Sequence, residues 1–264
     1  MINCKFDYVM VGGKLKSDEL KHIVSMIPYH HYENEYFQRV YFDKEMYFRI
    51  LVYPKNRYAW RHYNIIISFH PDSPPPLAVN ILQLIGKDRI IIKRIDKAFD
   101  IQNEFSDTFI LPVGTRTKQA YIKGSEYFGS ISSDFIIARY NKSLQLEQKK
   151  GFVGVPSTTR VEYRIKKQNR KLKRLNDFDV TFYMPLNDYR VLPFISKVEA
   201  SKIRKDLYDV SSGRKKWSYL TSQRKKAIRE AVNPHLINPF EYIHVPNMDT
   251  ATYLPECLQL LLIS

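Results

Sequence analysis

YFGSISSDFIIARYNK, residues 127–142, is the stretch on which the reading of this chain turns. Tyr127-Phe128-Gly129-Ser130 has the character of a strand end running into a turn, Ser132-Ser133-Asp134 is polar punctuation, and Phe135 to Tyr140 reads as a strand. Side chains alternate across a strand, so Tyr140 shares a face with Ile136 and Ala138. Two readings stand on these residues alone. Tyr140 is either one of 19 tyrosines, packed at a sheet edge with a wet hydroxyl, or a phenol presented at a strand end for chemistry.

The segments on either side add charge to the same kind of surface. RIIIKRIDKAFD, residues 89–100, opens as a buried strand and then alternates, so that Arg94, Asp96, Ala98 and Asp100 fall on one face and Ile95, Lys97 and Phe99 on the other. Two carboxylates on one strand face are costly to bury without a cation. Arg94 as an internal ion-pair partner and a metal-binding ridge are both open here. TTRVEYRI, residues 158–165, is a further strand that places Arg160, Glu162 and Arg164 together. Residues 119–128 supply one more strand, and 147–157, with Gly151, Gly154 and Pro156, a flexible break.

Working outward, residues 7–11 read as a first strand, and Ser17 caps a helix whose Leu20, Ile23, Val24 and Ile27 form a stripe. Residues 36–42 and 46–53 alternate around Asp43-Lys44-Glu45 as a hairpin. His30 and His31 point to opposite faces of an extended chain and read as loop residues rather than a metal pair. Residues 63–69 form a strand closed by His70-Pro71. Prolines 74–76 then open a helix over 77–85 that Gly86 ends. From 196 onward the texture is helical and basic: residues 214–232 set Trp217, Leu220 and Ile228 among Lys and Arg. The tail ends LQLLLIS, an apolar finish suited to docking on a neighbouring element or subunit. These patterns predict an α+β fold, with a largely antiparallel central sheet flanked by helices and a basic helical C-terminal region.

With 264 residues and 44% hydrophobic content the chain is long enough for a sizeable core. No run of 18 or more apolar residues occurs and the N-terminus lacks signal-peptide character, so a cytoplasmic protein without a membrane partner is expected. Cys4 and Cys257 have no metal spacing and suit neither a disulfide scaffold nor a zinc site. A formal charge of +15 implies a polyanionic partner, nucleic acid before membrane. The charge is uneven. Residues 164–174 hold Arg164, Lys166, Lys167, Arg170, Lys171, Lys173 and Arg174, and further clusters lie at Arg214-Lys215-Lys216 and Arg224-Lys225-Lys226, whereas no Lys or Arg follows Glu230. Three such runs in one half suggest a surface that tracks phosphates.

Three segments, in order, resemble the motifs of plasmid rolling-circle replication initiators of the Rep-trans type. KRIDKAFDI (93–101) is similar to the family's TRLD-x-AxD strand, residues 127–142 to its YxGxRxS-x-x-x-R-x-YxK element, and TRVEYRI (159–165) to its RVE strand. Weaker echoes occur at FDYVMVGG (6–13), at Ile67 to Pro71 and at Trp217 to Arg224. The sequence departs from the pattern at Ala138 and Ile131, where the family carries basic groups. Arg139 stands one step late and on the opposite strand face. The histidine-hydrophobic-histidine motif of the other large rolling-circle class is absent.

The resemblance implies that Tyr140 attacks a DNA phosphate, leaving a covalent 5′-phosphotyrosine and a free 3′ hydroxyl. It implies a divalent ion on Asp96, Asp100 and Glu162, with His70 as a further ligand. Carboxylate ligands favour Mg²⁺ or Mn²⁺. A phenol with a pKa of about 10 lies about 4 kcal/mol from its phenolate at pH 7, and such an ion would help to supply that difference. Arg160 and Lys142 would clamp the phosphate. Arg94, Arg139 and the three basic runs would hold DNA. Residues 1–190 would form the nicking domain and 191–264 a helical region that can belong to the same domain. The partners implied are single-stranded and duplex origin DNA, a helicase and a second copy of the chain. Beside replication initiation stand two alternatives: the same chemistry serving conjugative mobilisation, and a basic DNA-binding protein without catalysis.

Overall fold

The computed structural model describes residues 2–27, 32–45, 47–112, 119–122, 125–129, 135–171 and 189–238. The chain forms β1 (Ile2–Gly13), α1 (Ser17–Met26), β2 (Phe37–Asp43), β3 (Phe48–Pro54), α2 (Arg57–His62), β4 (Ile65–Phe69), α3 (Pro76–Ile85) and β5 (Ile91–Ile101). A 3₁₀ turn at Phe105–Asp107 leads to β6 (Phe109–Pro112), β7 (Gln119–Ile122), β8 (Ser125–Phe128) and β9 (Phe135–Asn141). Then come α4 (Lys142–Lys150), β10 (Thr159–Lys171), β11 (Tyr189–Leu192), α5 (Ser201–Ser211) and α6 (Ser222–Val232). The fold is α+β, and every strand pair whose register is described runs antiparallel. Among the described residues no helix is long and apolar enough to cross a membrane.

The chain divides into two compact units. One comprises Met1–Lys5, Ala98–Tyr163 and Val180–Val245, the other Phe6–Lys97, Arg164–Asp179 and Pro246–Ser264. In the second unit the strands follow the order β2-β3-β4-β1-β5. Its hairpin has Asp43 opposite Phe48 and is turned by the Asp43 carboxylate, which accepts from the Glu45 backbone N–H at 2.9 Å. Helix α3 has the expected limits: proline sits in its first turn, and Gly86, at φ 71°, ends it by donating its N–H to the Leu82 carbonyl. Ala78, Ile81, Leu82 and Ile85 bury one face at helical spacing. Gly13, at the end of β1, lets that helix approach, since a Cβ there would lie 2.5 Å from Ile85 Cγ2.

In the first unit the order is β5-β10-β9-β8-β7, and β6 pairs separately with β11. Helices α5 and α6 close over that pair. Phe109 and Leu111 of β6 and Leu192 of β11 share one core with Ile203, Leu207 and Val210 of α5, Trp217, and Ile228 and Val232 of α6. Trp217 sits 5.7 Å from the Phe109 ring. At about 25 cal/mol per Å² of buried apolar surface, such aromatic side chains dominate the local energetics.

Three local expectations are corrected. Residues 119–128 form two strands, β7 and β8, paired as a hairpin, because Gln119 registers on Phe128 and Ile122 on Ser125. Residues 147–150 belong to a helix rather than a flexible break: Asn141 caps α4 by accepting from Leu144 N–H, and Gly151 ends it in a left-handed conformation. The final strand of the middle region continues to Lys171, so most of the basic run at 164–174 is strand. His30, His31 and Ile131 lie outside the described residues.

Candidate active site

Strand β9 presents Ile136, Ala138 and Tyr140 on one face and Ile137 and Arg139 on the other, as period-2 alternation requires. Its neighbour β8 sets the phase, with Ser125 opposite Tyr140 and Glu126 opposite Arg139. Strand β10 brings Arg160 and Glu162 to the face that carries Tyr140. There the Tyr140 hydroxyl donates to Glu162 Oε2 at 3.0 Å. Both residues are buried, Tyr140 at 8% exposure and Glu162 at 5%. Tyr140 stands one residue before the Asn141 cap, and Lys142 N–H donates to the Thr158 carbonyl at 2.8 Å. The end of the strand is thereby tied to the start of β10.

Two residues along β10, Arg160 forms a fork with Asp100 of β5: Nε to Oδ1 at 2.5 Å and Nη2 to Oδ2 at 2.7 Å. The Arg160 side chain is 3% exposed and that of Asp100 19%, so the guanidinium is held out of water while the carboxylate keeps an edge in solvent. On the opposite faces Tyr163 packs edge-on against Phe99 at 5.4 Å and beside Phe135 at 6.1 Å. Thus the structure unites Tyr140 with Glu162 and Asp100 with Arg160. Lys142 Nζ donates to Gln145 Oε1 at 3.0 Å, within its own helix.

Asp96 and His70 belong to the second unit. Asp96, almost fully buried, accepts from Arg94 Nε at 2.6 Å and from Arg94 Nη2. Arg94 also stacks on Tyr8, 4.8 Å from the ring centroid. Burial disfavours the Arg94 cation, but the Asp96 carboxylate outweighs that effect and holds its pKa above the ordinary value. His70 Nε2 lies 3.6 Å from Asp7 Oδ1 and Nδ1 lies 3.9 Å from Asp72 Oδ2, both beyond hydrogen-bond length. Among the described residues no three His, Cys, Asp or Glu side chains gather as ligands. With Asp100 and Asp96 each neutralising a guanidinium, these residues as arranged do not fit a divalent ion.

Arg139, expected at DNA, is corrected: its side chain has no solvent exposure, so no phosphate can reach it. Nε donates to Glu126 Oε2 at 2.5 Å, and the rest of the guanidinium faces the backbone at Phe105, Thr108 and Ser211. Glu126 and Ser211 went unnoticed in the sequence. A signal for Glu126 was present, since it lies in phase with Phe128 on the buried face of SEYF. Ser211 carried none.

The C-terminal cations are arranged more openly. Lys215 and Arg224 converge on Asp206, at 3.2 and 2.5 Å. Burial raises the Asp206 carboxyl's affinity for a proton, but those two cations outweigh it and hold the pKa below the ordinary value. Arg214 pairs with Asp209 at 2.9 Å and remains 68% exposed. Lys216 lies over the exposed Tyr219 ring at 5.6 Å, and Lys225 Nζ reaches the Ser218 carbonyl at 3.5 Å. Arg164 and Lys166 are half-buried on β10. Lys167, Arg170 and Lys171 continue that strand, and Lys173 and Arg174 lie outside the described residues.

No family model matches the chain, and no curated protein matches it. Among solved structures the chain is similar to the rolling circle replication initiator protein from Geobacillus stearothermophilus. The identity is 12%, over 81% of this chain and 96% of that chain, with a TM-score of 0.43.

Proposed function

We propose that this chain is a DNA nicking-joining protein that initiates rolling-circle replication through Tyr140. The observation that carries the reading is the Tyr140 hydroxyl donating to the Glu162 carboxylate at 3.0 Å. The motif resemblance of residues 93–101, 127–142 and 159–165 supports it. In the proposed step Tyr140 Oη attacks the scissile phosphorus and its proton passes to Glu162. The bond from phosphorus to the 3′ oxygen breaks, and that oxygen takes a proton from solvent. A 5′-phosphotyrosine and a free 3′ hydroxyl result, and the reverse attack rejoins the strand without a nucleotide cofactor.

Single-stranded origin DNA would enter at Tyr140, and residues 191–264 would hold flanking duplex through Arg214, Lys216 and Lys225, with salt-sensitive affinity. A second copy of the chain and a helicase are the further partners of this reading. The Asp100–Arg160 and Asp96–Arg94 pairs favour a second one, a DNA-binding protein without catalysis in which the acids serve as internal ion-pair partners. One assay separates the two. The protein is incubated with a single-stranded origin oligonucleotide and Mg²⁺ or Mn²⁺, with a chelator in a parallel arm that reads metal dependence. The expected outcome is a covalent adduct on a denaturing gel that Tyr140→Phe abolishes. An undiminished adduct with Tyr140→Phe, or none with the wild type, sinks the nicking reading.

A further inference from the structure

We infer that Arg139 is a positioning residue that fixes the phase of strand β9 and so aims Tyr140 at Glu162; its catalytic consequence rests on the nicking reading above. Arg139 and Tyr140 are neighbours on opposite faces of the strand. A slip of one residue would carry Tyr140 away from Glu162 and Arg139 into its place. What prevents the slip is a cage with the shape of a guanidinium.

Each nitrogen of the fork has an acceptor. Nε donates to Glu126 Oε2 at 2.5 Å. Nη1 donates to the Phe105 carbonyl at 2.7 Å, to the Thr108 carbonyl and to Ser211 Oγ at 3.0 Å. Nη2 donates to the Ser211 carbonyl at 2.9 Å. The Phe105 ring lies 4.0 Å from Cζ. Ser211 is the last residue of α5, so the cation also meets the negative end of a helix dipole. Ser211 Oγ in turn donates to the Thr108 carbonyl at 2.9 Å, which fixes the cage wall.

Such a cage is selective. A phenol in it would leave Glu126 as a buried carboxylate without its cation, and Arg139 on the other face would lose five acceptors at once. Both costs fall on the slipped register alone. A buried ion pair is a weak source of net stability compared with apolar packing, but separating its partners while either stays buried is strongly destabilising, and that penalty selects against the slipped register. Here the arrangement chosen is the one that places Tyr140 beside Glu162.

The test uses the full chain grown with 3-fluorotyrosine, its Tyr140 ¹⁹F line assigned by Tyr140→Phe, well below the melting temperature. Arg139→Lys keeps the charge but cannot fill the fork. It should move the Tyr140 line and lower the adduct rate by about a hundred-fold, with the oligonucleotide KM within roughly two-fold of wild type. Ser211→Ala, which removes one acceptor, should give the same signs with a smaller rate loss, and it carries the test if Arg139→Lys does not fold. Variants that melt earlier yet keep the wild-type Tyr140 line and adduct rate would show a merely structural arginine and overturn the inference. If the wild type forms no adduct, the nicking reading fails by itself. The ¹⁹F line then still decides the positioning, and an unmoved line refutes it.

Discussion

Replacing Glu162 with glutamine exchanges one oxygen for an amino group and keeps the side-chain shape, so it separates the charge from the packing. The Tyr140 hydroxyl is 3.0 Å from Oε2, within reach for direct proton transfer. A phenol of ordinary pKa, about 10, lies about 4 kcal/mol from phenolate at neutral pH. A positioned base typically returns 10²- to 10⁴-fold in rate, about 3–5 kcal/mol, which is of the size needed. Glu162→Gln should therefore slow adduct formation by about 10²- to 10⁴-fold. The amide oxygen can still accept the phenol's hydrogen bond, so the loss of charge assistance should cost only about 1 kcal/mol of stability. The rate is read under single-turnover conditions with a 3′-labelled oligonucleotide, because the fragment bearing the 5′ phosphate stays on the protein. Stability is read by urea titration. A Glu162→Gln variant that forms adduct at the wild-type rate would refute the assignment of Glu162 as proton acceptor, and so would a rate loss explained wholly by weaker DNA binding.

Two further outcomes test the framework around the site. Asp107 accepts from Asn103 Nδ2, the Tyr208 hydroxyl, and both the hydroxyl and N–H of Ser196; burial pushes its carboxyl up, but these bonds outweigh it and hold its pKa below the ordinary value. Because the folded-state value is depressed, this stability is complete above the unfolded carboxyl value of about 3.9 and is lost as pH falls through the folded one. Asp107→Asn should thus be less stable than wild type by about 1 kcal/mol at pH 7, since the site is partly open to solvent, with the gap closing in acid, as read by denaturation at a series of pH values. In the second unit Gly13→Ala would drive a Cβ to 2.5 Å from Ile85 Cγ2. A loss of about 1–3 kcal/mol by thermal melting is expected, and an unchanged melting temperature would show that α3 shifts freely.

Elements with a clear period were legible in the residues alone. Alternation located β5, β9 and β10 and gave the face of each on which Asp100, Tyr140 and Glu162 lie, while Pro76 and Gly86 marked the limits of α3. Those rules are local, resting on residues two to four apart. Where two local signals competed, as at 119–128 and 147–150, cross-strand register and the Asn141 cap decided the outcome. Which partner each charge takes depends on the folded arrangement. Arg139 reads in the sequence as one more basic group. It is buried because acceptors from Glu126, Phe105, Thr108 and Ser211, the last 72 residues away, converge on it. Asp100 likewise reads as a metal ligand until Arg160, 60 residues on, closes a fork around it. Desolvating a charge is costly, and whether that cost is offset depends on groups remote in the chain, a sum that no periodicity contains.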